Sequence, residues 1–402
     1  MQNIYLISEF GYTLRNIPFA FSGPQVKIYR VGGPNSKLKK QENFREIPRR
    51  ANHSFIQSLL LEEQFIESLN GFVIIGTDAE MREIAEAEID LNIKLKLLPI
   101  KNPTAFKILD SKVGFQSVVT ELQISAPQGF VIENTRDLEK IKISSDIAYF
   151  LKGDKGGGGA AVHKVSASTL HSKALDMGYP FLIQEEIIGS DIAIEAFFVH
   201  GILRAYIYSD QVKSVSQYGV SYQRRIARPK DLDFLSTLQS MGEYTGIHGF
   251  VNTSFIFSPT LGKHLLFEFD PRPNAWHFLT HPLGINLSKI IIGPETGSVE
   301  APNVHDFRIT LLERFLTHIP GISHPRQLTR VCKNLFDSDL VIMGGKKISK
   351  IEMIRILIFY VPRYLLLRNA KKCFRLLPSS ITTPIKRRGV TGTVAGRITG
   401  EW

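Results

Sequence analysis

The sequence predicts an α/β protein, and three observations carry that reading. The first hundred residues alternate apolar runs with amphipathic stretches. Residues 4–7 and 26–31 read as strands, and 55–69 places Ile56, Leu59, Leu60, Phe65, Ile66 and Leu69 at helical spacing. Residues 71–76, GFVIIG, form the continuous apolar run of a strand buried on both faces. Second, residues 193–199 and 202–208 flank His200-Gly201, and 249–257 and 264–269 flank a turn, which are two hairpin signals. Third, residues 149–162, YFLKGDKGGGGAAV, read as strand, glycine loop, strand. The alternation gives a small parallel unit, and the hairpins give mixed lobes after it.

The remaining elements follow in order. Gly32-Gly33-Pro34 ends the second strand, and 37–50 is polar and basic, hence loop. Asp78 stands in a turn as the expected cap of a helix over 80–90, and 94–100 reads as a strand. Residues 104–122 read as one helix carrying Asp110 and Lys112. Pro127 breaks the chain before a strand at 130–132, and Thr135 is the expected cap of a helix over 135–141. A helix at 168–177 and a strand at 181–183, after Pro180, come next. Residues 214–228 read as a loop and 231–244 as a helix.

Composition bounds the function. The 402 residues suffice for two or three domains, and 43% hydrophobic with 22% charged residues is ordinary for a globular protein. Two cysteines, Cys332 and Cys373, exclude a disulfide framework and a four-thiolate metal site, so a reducing compartment is expected. The opening MQNIYLISEF lacks a basic segment followed by a long apolar run, and no stretch of about eighteen uncharged apolar residues occurs. A cytoplasmic protein is the expectation.

Charge is uneven. Residues 301–402 hold 18 Lys and Arg against 6 Asp and Glu, whereas the first 300 hold 31 against 32. In 351–377 an interrupted helical pattern sets Ile354, Leu357 and Ile358 among Arg355, Arg363 and Arg368. That pattern fits peripheral contact with an anionic membrane surface, or a helix packed on the body with a solvated basic side. No nucleic-acid motif accompanies the charge, so no specific nucleic acid is expected.

The chemistry concentrates at three places. Lys152 enters the loop of Gly156, Gly157, Gly158 and Gly159, where backbone N–H groups can approach an anion and the lysine supplies countercharge. No Gly-Lys-Ser/Thr follows, which excludes a P-loop, and the apolar run after the loop is too short to open a dinucleotide-binding helix. Taken alone, the loop reads equally well as a hairpin tip. Residues 184–191, QEEIIGSD, follow an apolar strand. Glu268 and Asp270 lie on one face of a strand by the period of two, a placement that suits a hard divalent cation, and Arg272 and Asn274 continue that face.

Together Lys112, residues 149–162, FLIQEEIIGSD at 181–191 and LLFEFDPRPN at 265–274 resemble the ATP-grasp superfamily, over roughly residues 70–290. The resemblance implies a preATP α/β domain at 1–103 and an ATP-grasp domain at 104–300. Its small lobe would span about 128–190 and its large lobe about 104–127 and 191–300. A basic, mainly helical extension at 301–402 lies outside it. Lys112 and Lys152 would be the two ATP lysines, Lys152 on the α- and β-phosphates, and the four glycines the flap over the triphosphate. The side chain of Gln184, with the backbone of Glu185 and Ile187, would read the adenine edge, and Asp191 would take the ribose hydroxyls. Glu268 and Asp270 would hold Mg²⁺, with Mn²⁺ as the alternative, and Arg272 would bind the substrate carboxylate or its acyl phosphate.

Two departures stand out. The family's usual Glu-x-Asn-Pro-Arg has Asp270 in place of its asparagine, and the preceding strand offers Ser254 and Asn252 where a further acidic ligand is usual. Arg224 and Arg225 would add positive charge near the γ-phosphate. The resemblance implies an ATP-dependent ligase for a small carboxylate and an amine or similar nucleophile. The alternative is a nucleotide-binding module with a degenerate metal site that acts through its basic extension.

Overall fold

The computed structural model describes residues 3–21, 26–32, 43–159, 161–214, 220–293, 297–303, 305–312, 314, 338–343 and 346–349. The chain divides into two compact units, Met1–Val212 with Arg224–Phe307, and Lys213–Gln223 with Arg308–Trp402.

The first unit begins with a parallel sheet of β1 (Asn3–Ser8), β2 (Val26–Val31), β3 (Phe44–Ile47) and β4 (Gly71–Ile75), in the order β3-β2-β1-β4. β1 and β4 are apolar and buried almost throughout, which is why their runs were legible. β3 occupies part of the stretch expected as loop. It is a four-residue edge strand in which only Ile47 is buried, too short to show a period. The helical pattern at 55–69 is two helices, Phe55–Leu60 and Glu63–Ser68, the first closed by a capping box of Ser54 and Gln57.

Four other expectations are corrected. Residues 94–100 are not a strand. A helix, Leu91–Leu97, starts on Asp90, whose carboxylate accepts from Asn92 N, and the alternation LKL fits both periods over so short a run. The helix after β4 is Asp78–Glu86, capped by Thr77, so Asp78 lies in its first turn. Residues 104–122 break into a 3₁₀ turn, Pro103–Ile108, and a helix, Lys112–Glu121, because Asp110 takes φ +53° and Ser111 caps the second piece. Likewise Asn134, not Thr135, caps the helix Thr135–Lys140.

A smaller antiparallel sheet follows, of β5 (Gly129–Ile132), β6 (Ala148–Gly153), β7 (Val162–Ser166) and β8 (Phe181–Glu185), ordered β5-β8-β6-β7. Its inner face closes on helix Ala167–Ala174 through Tyr149, Leu151, Phe181, Ile183 and Leu170. The larger sheet orders β9 (Ser190–Val199), β10 (Ile202–Ser214), β11 (Ser221–Ile226), β12 (Gly249–Ser258) and β13 (Lys263–Asp270) as β13-β12-β9-β10-β11. Both expected hairpins are there, β9–β10 and β12–β13. Helix Asp233–Thr245 packs Phe234, Leu238 and Met241 into the main core, which joins this sheet to the parallel one.

In the second unit, β14 (Phe307–Leu311) pairs in parallel with β15 (Leu340–Met343), and β15 pairs antiparallel with β16 (Lys346–Lys347). Gln223 Nε2 donates to Thr310 Oγ1 at 3.1 Å and to Ser338 Oγ at 2.8 Å, tying the unit's strands together. The helical pattern at 351–377, and the surface contact expected of it, lie outside the described residues. No helix among the described residues is long and apolar enough to cross a membrane.

Candidate active site

Alternation along β6 turns Tyr149 and Leu151 into the small-sheet core and Phe150 and Lys152 to the other face. There Lys152 Nζ donates to Gln184 Oε1 on the neighbouring β8 at 2.6 Å and lies 5.4 Å from the ring centroid of Phe267 on β13. The small and large sheets of this unit therefore face one another across Lys152. Burial, opposed by Glu268 and aided by Lys112, lowers the Lys152 pKa to about 8.

The glycine loop leaves β6 directly after Lys152. Gly156, Gly158 and Gly159 take φ of +97°, +67° and +75°, a region closed to most side chains, so glycine is required by the backbone. A Cβ at Gly156, Gly157 or Gly158 would meet nothing within 4 Å, so the loop stands in open space. Lys112, first residue of its helix, donates through Nζ to Gly156 O at 2.7 Å, and Asp154 Oδ1 accepts from Ser111 Oγ at 2.7 Å and from Val113 N at 3.0 Å. Lys155 reaches Glu86 at 3.1 Å. Both proposed ATP lysines are thus brought to the loop.

At the end of β8, Glu185 N donates to Gln128 O at 2.9 Å and its carboxylate accepts from Gln128 N at 3.0 Å. Ile187 is half-buried, and Ile188, Gly189, Ser190 and Asp191 are exposed as the chain passes from the small sheet into β9. Asp191 pairs in register with Ile256 on β12.

On β13 the register sets Glu268 opposite Ser254 and Asp270 opposite Asn252. Ser254 Oγ donates to Glu268 Oε2 at 2.9 Å, and Asn252 Nδ2 donates to Asp270 Oδ2 at 3.1 Å. Arg272 Nη2 reaches Asp270 Oδ2 at 2.9 Å, and its Nε donates to Asp78 Oδ2. Burial raises the Asp270 carboxyl to about 6, with Glu268 adding to the effect, and burial likewise raises Asp78 to about 6. Two like charges on one face, each with one oxygen turned to no partner among the described residues, fit a hard cation. No group of three or more His, Cys, Asp or Glu suited to a metal occurs among the described residues, so the protein offers two carboxylates and the remaining ligands would come from elsewhere.

Arg224 and Arg225 do not belong to a loop. They lie on β11, where Arg225 pairs with Asp210 at 2.5 and 2.7 Å. Arg224 is buried, meets Glu195 Oε1 at 2.5 Å, and lies over the Trp276 ring at 4.6 Å. The sequence reading also missed Asp78, Glu195 and His277. Asp78 follows the C-terminal end of a parallel strand, the edge where open α/β sheets place ligand-binding residues, and that position was a usable signal. Glu195 is an acid inside the apolar run AIEAFFV, which required a partner. His277 is fully buried with Nδ1 accepting from Asn274 N at 2.9 Å, and burial lowers it to about 4, so it is neutral.

No family model and no curated protein matches this sequence. Solved structures do match in shape. An L-amino acid ligase from Bacillus licheniformis superposes with a TM-score of 0.55 at 14% identity, covering 73% of each chain. The chain has the ATP-grasp fold. A phosphoribosylamine–glycine ligase from Thermotoga maritima aligns with a TM-score of 0.55 at 15% identity over 76% of this chain and 78% of that one. The biotin carboxylase domain of 2-oxoglutarate carboxylase from Hydrogenobacter thermophilus, solved with MgADP and bicarbonate, aligns with a TM-score of 0.54 at 14% identity over 77% and 73%.

Proposed function

We propose that this protein is an ATP-dependent ligase that activates a small carboxylate as an acyl phosphate and transfers the acyl group to an amine or similar nucleophile. The observation that carries the reading is the placement of Lys152 from the small sheet against Phe267 and Glu268 of β13, whose last residue, Asp270, in turn meets Arg272. The ADP and MgADP complexes of proteins with this fold support ATP as the co-substrate. In this reading residues 1–103 form the preATP domain and 104–300 the ATP-grasp domain, in a cytoplasmic setting.

Lys152 and Lys112 neutralise the polyphosphate, and the glycine loop closes over it with backbone N–H groups. Gln184 and the backbone at Glu185 and Ile187 orient the base, and Asp191 the ribose. Arg272 holds the substrate carboxylate in line with the γ-phosphorus. A carboxylate oxygen forms a bond to that phosphorus, the bond to the β-phosphate oxygen breaks, and ADP leaves. The amine then adds to the acyl carbon and phosphate departs with the C–O electron pair, while the amine gives up a proton. Arg272 stabilises the negative charge in both steps. Mg²⁺, held by Glu268 and Asp270, would supply charge neutralisation between the phosphates.

A screen of carboxylate and amine pairs for ADP formation tests this. ADP release that requires both partners is the expected result. ATP binding with no carboxylate able to raise ADP release would sink it.

A further inference from the structure

Arg272 is claimed from two sides. Asp270, the last residue of β13 and two positions before Arg272, belongs with Glu268 to the face assigned to metal and phosphate. Asp78 comes from elsewhere in the chain, in the first turn of the nine-residue helix after β4, where the helix N-terminus favours a charged carboxylate. The side chains of Arg272 and Asp78 are each 23% exposed, so a small molecule can reach both.

The charge balance limits what that molecule can be. With Asp270 turned to a metal, Asp78 and Arg272 neutralise each other. A substrate carboxylate that takes the Nε side of the guanidinium displaces Asp78 and leaves it a half-buried carboxylate beside Asp270, parted from its cation. Stranding one member of such a pair is costly. A substrate with an ammonium group next to its carboxylate replaces both halves of the pair at once. The pair opens, and each half meets its complement.

We propose that Asp78 and Arg272 together recognise a zwitterion, an α-amino acid whose ammonium group goes to Asp78 and whose carboxylate goes to Arg272. This amino acid is the acid that becomes phosphorylated. The proposal rests on the ligase reading above, and it adds the substrate class.

The test is calorimetric titration of the twenty proteinogenic amino acids, with their desamino and N-acetyl counterparts, onto the full chain holding Mg²⁺ and a non-hydrolysable ATP analogue. At least one amino acid is expected to bind roughly 10²-fold more tightly than its desamino counterpart. Asp78→Asn is expected to erase that ratio by weakening the amino acid, and Asp78→Glu to restore most of it. Equal binding of desamino acids, as would follow if Asp78 received a second substrate's amine, overturns the proposal, as does failure of all twenty to bind. A ratio unchanged in Asp78→Asn overturns it too, and the wild-type comparison decides alone if that variant does not fold. ADP release driven equally by desamino acids would leave the ligase standing and remove the zwitterion. Amino-acid binding without ADP release under any amine would do the reverse.

Discussion

The side-chain amide of Asn274 donates to Glu195 Oε1 at 3.1 Å. The same oxygen meets Arg224 Nη1 at 2.5 Å, and Asn274 also donates to Asn252 Oδ1, whose own amide reaches Asp270. A fully buried carboxylate in the middle of the large sheet therefore holds the chain beyond β13 in place. Removing it strands the Arg224 guanidinium in the core. Glu195→Ala should cost about 3–5 kcal/mol of stability in urea denaturation. The double variant Glu195→Leu with Arg224→Met should recover much of that loss. A double variant as unstable as the single one would show that the pair is not what stabilises this region.

The Lys152 ammonium titrates near 8 in the free protein because burial disfavours its charge. Above pH 8 the amine is largely neutral, and a bound polyphosphate draws the proton back. ATP affinity should therefore fall as pH rises through 8, and binding near pH 8 should take up protons. Calorimetry in buffers of different ionisation heat measures that uptake. Lys152→Ala should weaken ATP by about 1.5–3 kcal/mol and abolish the pH dependence. Affinity constant up to pH 10 would place the lysine away from the phosphates.

Glu268→Gln removes one ligand charge with little change in volume, so turnover should vanish while the melting temperature stays near that of wild type. Asp270→Asn keeps an oxygen ligand and the Asn252 and Arg272 contacts within reach, so it should be tolerated. If Asp270→Asn proved as inactive as Glu268→Gln, the assignment of roles along β13 would be wrong.

His277 is held neutral, with its folded pKa near 4 against an ordinary 6.5. Between those values the unfolded chain binds a proton that the folded chain refuses. Stability should thus decline as pH falls from 6.5 toward 4. His277→Asn keeps an acceptor for Asn274 N and should flatten the decline. Equal slopes for wild type and variant, in melts taken across that window, would refute the assignment.

Much of the architecture was legible because burial imposed a pattern. β4 is apolar without interruption, and hairpin alignment alone set Ser254 opposite Glu268, a pairing that holds although the register shifts between Ser254 and Phe255. What escaped notice was set by single residues or by tertiary contact. Asp110 with its positive φ splits one apparent helix in two. Asp90 starts a helix where LKL alternation imitates a strand. The link between Asp78 and Arg272 joins positions 194 residues apart, and no local period encodes it. Arg224 and Arg225 sit in a polar stretch that reads as loop, yet their partners Glu195 and Asp210 turn them into strand residues.

On the proposed reading, the bond between Lys152 and Gln184 would bear on affinity as well as position. In the free protein the lysine's donor and the amide's acceptor satisfy each other, and Gln184 Nε2 reaches Gln116 Oε1 at 3.4 Å. A triphosphate that draws Lys152 away frees Gln184 Oε1, and an adenine ring seated on Gln184 frees the lysine. The two ends of one nucleotide would then assist each other through a single amide. Adenosine and tripolyphosphate, given separately, would each have to break that contact with half the compensation. Intact ATP would bind more tightly than its fragments add up to, so the cooperativity would lie within one ligand and not between two sites.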